Sequence, residues 1–323
     1  MNMDRFSTTW VAAWPSPDCR VSNAEFMEIS ARYFGLPSPA CAPLVGKAIG
    51  NTRTTLDVYG SRLTTATLPG DGFRRQHDAV KWRLDEDLHE MGVRVRTEVY
   101  GLFAAALPQH AQDAIASWPQ RKRQGLVPDF MIALPQSGQS PGDAVDELFE
   151  LKTLHYGSTT YPAQGGRAVN RRADALPAEM SRKARQLDQR FHGTPAGEVG
   201  PVGRRLAAFG AVRGIVVGHF GEGSAHLEDL LTGAAHCGSL RHWAGMRARE
   251  PRDAHGTLAS LLRRRWGIAA WRAAARLLLD RLEYVGGGSM RAHDRRAAAS
   301  EAAAAARRAA HWLFRRPQAG WSR

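Results

Sequence analysis

Two short segments hold the residue types that could do chemistry. Val127-Pro128-Asp129-Phe130 and, further along, Glu150-Leu151-Lys152 supply two carboxylates and an amine. A hard divalent cation such as Mg2+ or Mn2+ takes anionic oxygen ligands, and carboxylates on neighbouring strands can provide them. A cation so held polarises a phosphodiester and lowers the pKa of an attacking water. A Lys beside the second carboxylate can orient that water, accept its proton or steady the charged phosphate. Without context, an Asp and a Glu-x-Lys on a strand are more often solvated surface residues. Lys is scarce here, however: only Lys47, Lys81, Lys122, Lys152 and Lys183 occur among 44 Lys and Arg. Where Arg is the default base, a Lys can mark a site that needs a compact ammonium able to shift its pKa.

The surrounding pattern supplies elements to hold these residues. Val127 to Leu134 reads as a short buried strand that ends in Pro135-Gln136-Ser137-Gly138, with a Gly, Ser and Pro-rich loop to about Asp143. Val145 to Leu154 alternates, so Leu148, Glu150 and Lys152 face one way and Phe149, Leu151 and Thr153 the other. If the two runs pair, Asp129 comes within reach of a cation shared with Glu150.

Upstream, Arg74 to Met91 is helical, with Val80, Leu84, Leu88 and Met91 on one stripe and His77 directed inward. Gly92 ends that helix, and Val93 to Tyr100 alternates as a strand carrying Glu98. Downstream, a loop from Tyr156 to Ala173 is expected, then a helix with Pro177 in its first turn and Met180, Ala184, Leu187 and Phe191 buried. Lys183 lies at the edge of that face. Gly214 to Phe220 reads as a further strand and Ser224 to Ala235 as a helix. The order is helix, three strands, helix, strand. It predicts an α/β fold with a central mixed sheet flanked by helices.

In that order the chain resembles the restriction-endonuclease-like, or PD-(D/E)xK, nucleases. More narrowly, Gly35-Leu36-Pro37, Leu56-Asp57-Val58-Tyr59-Gly60, Arg74-Arg75-Gln76-His77-Asp78 and Glu98 resemble the segment that follows reverse transcriptases in retroelements of algae and other protists. The resemblance runs roughly from Phe34 to Ala235. It implies a restriction-endonuclease-like core and a Mg2+- or Mn2+-dependent endonuclease of mobile-element origin. Asp129 and Glu150 would be metal ligands and Lys152 catalytic. The relatives often draw their Lys from the next helix, which keeps Lys183 open for the same role. They usually carry a Cys/His zinc knuckle as well. Here Cys19, Cys41 and Cys237 have no paired spacing for zinc, so no structural zinc is expected. A catalytically decayed scaffold that only binds nucleic acid is the alternative.

His77 and Glu98 each keep two readings. An inward His on an amphipathic helix is often a satisfied core residue. Resemblance to the family's His-bearing helix sets against this a role in positioning phosphate or metal-bound water. Glu98 adjoins the Asp129 strand as a third carboxylate, or pairs with Arg94 or Arg96.

Composition bounds the rest. At 323 residues, 43% of them hydrophobic, the chain can bury one large core or two smaller ones. Three cysteines suit a reducing compartment, and no stretch matches a signal peptide or membrane span. An intracellular protein is expected, nuclear in a eukaryote. From Leu240 onward there are 18 Arg against 6 Asp or Glu, a net +12, so Met1 to Ser239 holds +1 of the total +13. Four parts follow: an N-terminal segment, 1–70, packing on the core; the nuclease-like core, 71–239; a helical extension, 240–288, with Gly286-Gly287-Gly288 as a linker; and a basic Ala/Arg-rich tail, 289–323. Helices are expected over Thr257 to Trp266 and Ala269 to Val285, with Arg263-Arg264-Arg265 outward. Such a basic region is the footprint of a polyanion partner, here nucleic acid, DNA ahead of RNA.

Overall fold

Helix formation in the centre of the chain follows the apolar spacing. In a computed structural model describing residues 5–12, 19–99, 101–117, 126–134, 144–156, 161 and 168–286, the helices are α1 (Arg5–Thr8), α2 (Asn23–Tyr33), α3 (Ser61–Thr65), α4 (Gly72–Glu90), α5 (Gln109–Ser117), α6 (Ala168–His192), α7 (Pro201–Ala207), α8 (Ala225–His242) and α9 (Pro251–Arg281). Val80, Leu84, Leu88 and Met91 are all buried on one stripe of α4, contributing about 2 kcal/mol each before entropy is counted. Gly92 stops the helix in the left-handed region, at φ 77°. Its N–H donates to His89 O, and the N–H of Val93 donates to Leu88 O. That double closure satisfies the last carbonyls and releases the chain into a strand.

Four strands form one mixed sheet: β1 (Arg94–Thr97), β2 (Phe130–Leu134), β3 (Val145–Thr153) and β4 (Arg213–Val217). They lie in the order β1-β2-β3-β4; the first two pairings are antiparallel and β3–β4 is parallel. The fold is thus α/β, and the α4, β1, β2, β3, α6, β4 order matches the expected one. A short 3-10 turn with α5 intervenes between β1 and β2, and α7 precedes β4; neither was expected.

Strand alternation sends side chains into two cores. Phe130, Ile132, Phe149, Leu151, Ile215 and Val217 pack with α4, α8 and α9. On the opposite face, Met131 and Leu148 pack with Met180, Ala184 and Leu187 of α6 and with Val202 and Leu206 of α7. Glu150 and Lys152 share the Leu148 face, so they lie on the side that α6 covers.

Several boundaries differ from expectation. The helix expected to begin at Pro177 begins at Ala168, with Pro177 inside it. Val169, Ala173, Leu176 and Met180 keep a buried helical stripe through that point, and Arg172 and Glu179 form an ion pair across it. This packing outweighs the hydrogen bond that proline removes. The two C-terminal helices are one, α9, continuous through Gly267. There glycine serves close packing: an added Cβ would lie 3.2 Å from Phe6 O and Thr9 Oγ1. The strand expected over Val93 to Tyr100 ends at Thr97, because Glu98 takes φ 48°. The strand expected to reach Phe220 ends at Val217, where the Glu222 carboxylate accepts from Phe220 N–H and closes a turn.

Arg263-Arg264-Arg265 is not a free outward triad. Arg263 pairs with Glu228, Arg264 donates to the Ser260 carbonyl, and Arg265 pairs with Asp87 at 3.0 Å and Glu90 at 2.6 Å. Asp87 also accepts from Trp266 Nε1 and from Arg83, so this buried cluster ties α9 to α4.

The chain divides into two compact units. One comprises Met1–Val21 with His77–Ala273 and contains the whole sheet; the other comprises Ser22–Gln76 with Ala274–Arg323. In the second, Cys41, Ile49, Leu56, Leu63 and Leu278 form the core, and buried Arg281 donates to the carbonyls of Leu63, Thr64 and Ala66 that end α3. No helix among the described residues is long and apolar enough to cross a membrane. Tyr100, the 135–143 loop, Gly287 with Gly288, and the basic tail 289–323 lie outside the described residues.

Candidate functional site

Register brings the acidic residues together. Thr97 pairs with Phe130, and Phe130 with Phe149. One position beyond these pairs come Glu98, just after β1, Asp129, just before β2, and Glu150 on β3. The N–H of Glu98 donates to Asp129 O at 3.0 Å, and the N–H of Leu151 donates to Asp129 Oδ2 at 2.9 Å. The bond from Leu151, next to Glu150, and the action of the Asp129 charge on the Glu150 carboxyl make the two acids neighbours at the end of the β2–β3 pair.

Lys152, two residues along the same face, donates from Nζ to Glu150 Oε1 at 2.6 Å. Glu150 Oε2 is buried and has no hydrogen-bond partner among the described residues. Burial pushes the Glu150 carboxyl up, reinforced by the Asp129 charge and opposed by Lys152 and Lys183. Lys183, on the exposed side of α6, thus acts on Glu150 through its charge. Asp129 is held below the usual carboxylate range: burial raises it, but the hydrogen bond and charge of His77, with Lys152 and Lys81, overcome that.

His77 is the clamp on Asp129. Its Nε2 lies 3.3 Å from Asp129 Oδ2 and its Nδ1 3.3 Å from Asp78 Oδ1. Burial alone would lower the imidazole, but these carboxylates win and push it up to about 9. The ring is therefore protonated at neutral pH and donates from both nitrogens. It is neither an apolar-core histidine nor, while protonated, a metal ligand.

Lys81 and Asp78, to which the sequence reading gave no role, belong to the cluster. Lys81, one helical turn after His77, is only 2% exposed; its ammonium pairs with Glu98 and lies 3.3 Å from Asp78 Oδ1. Glu98 is thus engaged by Lys81, which neither expected reading named; Arg94 and Arg96 instead lie 3.2 and 3.5 Å from Asp146. The scarcity of Lys and the i, i+4 spacing of His77 and Lys81 were the available signals.

The donor set fits a small hard cation in one way. No group of three or more His, Cys, Asp or Glu is arranged to hold a metal ion among the described residues. Mg2+, however, is commonly held by one or two carboxylates, with waters and substrate phosphate completing its shell. Asp129 and the unpartnered Oε2 of Glu150 suit that mode. Comparison of the chain with models of known protein families, with curated proteins and with solved structures gives no match.

Proposed function

We propose that this chain is a divalent-metal-dependent nuclease that hydrolyses phosphodiester bonds in nucleic acid, DNA ahead of RNA. In this reading the α4–β1–β2–β3–α6–β4 arrangement is a restriction-endonuclease-like core of mobile-element origin. The observation that carries it is the juxtaposition of Asp129 and Glu150, with Lys152 on one Glu150 oxygen and the other oxygen buried with no hydrogen-bond partner among the described residues. Two adjacent buried carboxylates repel, so such a pair persists only if cations offset its charge or one carboxylate takes up a proton.

Asp129 and Glu150 would hold Mg2+ or Mn2+, which supplies phosphate polarisation and a water of lowered pKa. His77 and the Leu151 N–H fix the Asp129 carboxylate in one orientation, so little reorganisation is needed when ligand arrives. Lys152, part-exposed beside Glu150, can move from that carboxylate to a phosphate oxygen or to the attacking water. Lys183, further out on α6, adds positive charge where a phosphate backbone would approach.

The pairing of Lys81 with Glu98, which occupies the carboxylate expected as a third ligand, favours a second reading, a decayed scaffold that binds nucleic acid without cutting it. One experiment separates the two. Supercoiled plasmid, linear duplex and single-stranded DNA and RNA are incubated with the full chain and Mg2+ or Mn2+. Nicking that EDTA and Asp129→Asn or Glu150→Gln each abolish is expected. Binding without any cleavage would replace the enzyme reading with the scaffold; cleavage that survives both substitutions would sink the site.

A further inference from the structure

An ammonium as deeply buried as that of Lys81 is unfavourable unless carboxylates compensate it. Here Glu98 and Asp78 do so directly, and the same charge also stabilises the ionised form of Asp129. Lys81 is thus a fixed cation held by Glu98 and Asp78, near enough to Asp129 for its charge to act there. Glu98 reaches it from left-handed backbone at φ 48°, a conformation a non-glycine residue keeps only when its contacts hold it. In two-metal phosphodiesterases, two cations about 4 Å apart share such a set of carboxylates.

We propose that the Lys81 ammonium stands where a second metal ion would otherwise sit, so that the site binds one divalent cation per chain, through Asp129 and Glu150, with Glu98 outside its ligands. The inference rests on the metal-site reading above and goes beyond it by fixing the stoichiometry and the role of Lys81. Lys81 is a positioning residue here: it acts through Glu98, Asp78 and the Asp78–His77–Asp129 chain of contacts. An ammonium suits this place because it is compact and keeps a single charge, whereas a guanidinium would need a wider planar slot.

The test is a titration of the full chain with Mn2+, in the absence of nucleic acid, following free Mn2+ by electron paramagnetic resonance. One Mn2+ per chain is expected. Glu98→Gln keeps the buried lysine and should leave the stoichiometry at one and the affinity within about threefold, a change too small to reflect a lost ligand. Lys81→Ala should raise the stoichiometry to two, and the double variant with Glu98→Gln should return it to one. Two ions per wild-type chain, a loss of about tenfold or more from Glu98→Gln, or a folded Lys81→Ala that still binds one ion would overturn the assignment of Lys81 alone. If Lys81→Ala does not fold, the wild-type count and Glu98→Gln decide. Absence of Mn2+ binding, or binding indifferent to Asp129→Asn and Glu150→Gln, would remove the metal site itself and this inference with it.

Discussion

Replacing His77 by Gln removes a side chain that lies 3.3 Å from both Asp78 and Asp129. The size of the effect follows from the imidazole, whose pKa is pushed from 6.5 to about 9 by those two carboxylates against the effect of burial. A rise of that size corresponds to at most about 3 kcal/mol of folding free energy carried by the protonated ring. The folded-state pKa is the higher one, so the contribution is complete below the unfolded value of 6.5 and is lost as pH rises through about 9. Urea unfolding of wild type and His77→Gln, both in EDTA, measures it. The stability gap should be about 3 kcal/mol near pH 6 and fall to about 1 kcal/mol or less near pH 10, where the ring is neutral and no longer pairs as a cation with the two carboxylates. Nuclear magnetic resonance titration of the His77 ring protons should show a midpoint near 9. A gap that does not change with pH, or a midpoint at or below 6.5, would refute the ion-pair account of how Asp129 is held.

Two further outcomes are expected. Lys152→Ala should leave Mn2+ affinity nearly intact and slow cleavage roughly 100-fold or more if Lys152 assists proton transfer; if Lys183→Ala has that effect instead, the α6 lysine is the catalytic one. Deleting residues 291–323 should weaken nucleic-acid binding and flatten its dependence on salt, since each Arg–phosphate contact contributes about one counterion to the slope; an unchanged slope would locate the binding surface elsewhere.

Local pattern made much of the fold legible. A strict 3.6-residue stripe from Val80 to Met91 and a glycine at position 92 mark α4 and its end, because both signals act within a few residues. Period-two alternation likewise places Glu150 and Lys152 on one strand face, and the order of elements suggests that the Asp129 strand adjoins it. Where a local rule met a tertiary one, the local reading failed. Pro177 looked like a helix start and Gly267 like a break, yet packing against the sheet and against Phe6 and Thr9 carries both helices through.

Charge was the least readable property. Apolar helical spacing placed Arg263 to Arg265 outward, but Glu228, Asp87 and Glu90, remote in sequence, engage two of the three. Spacing put Lys81 on the side of its helix that carries His77, without a reason for an ammonium to be buried there. Its burial depends on Asp78 one turn back and on Glu98 beyond the helix and β1, and the Glu98 contact requires a backbone conformation that no residue pattern signals. Residue type and spacing determined which groups could ionise and which face of an element they occupied. Which charges meet, and therefore which are neutralised and which carboxyls are raised, as in Glu150, was decided only when the strands set their register and α4 settled on the sheet. Electrostatic energy depends on distance and burial in three dimensions, and neither is a property of the chain taken a few residues at a time.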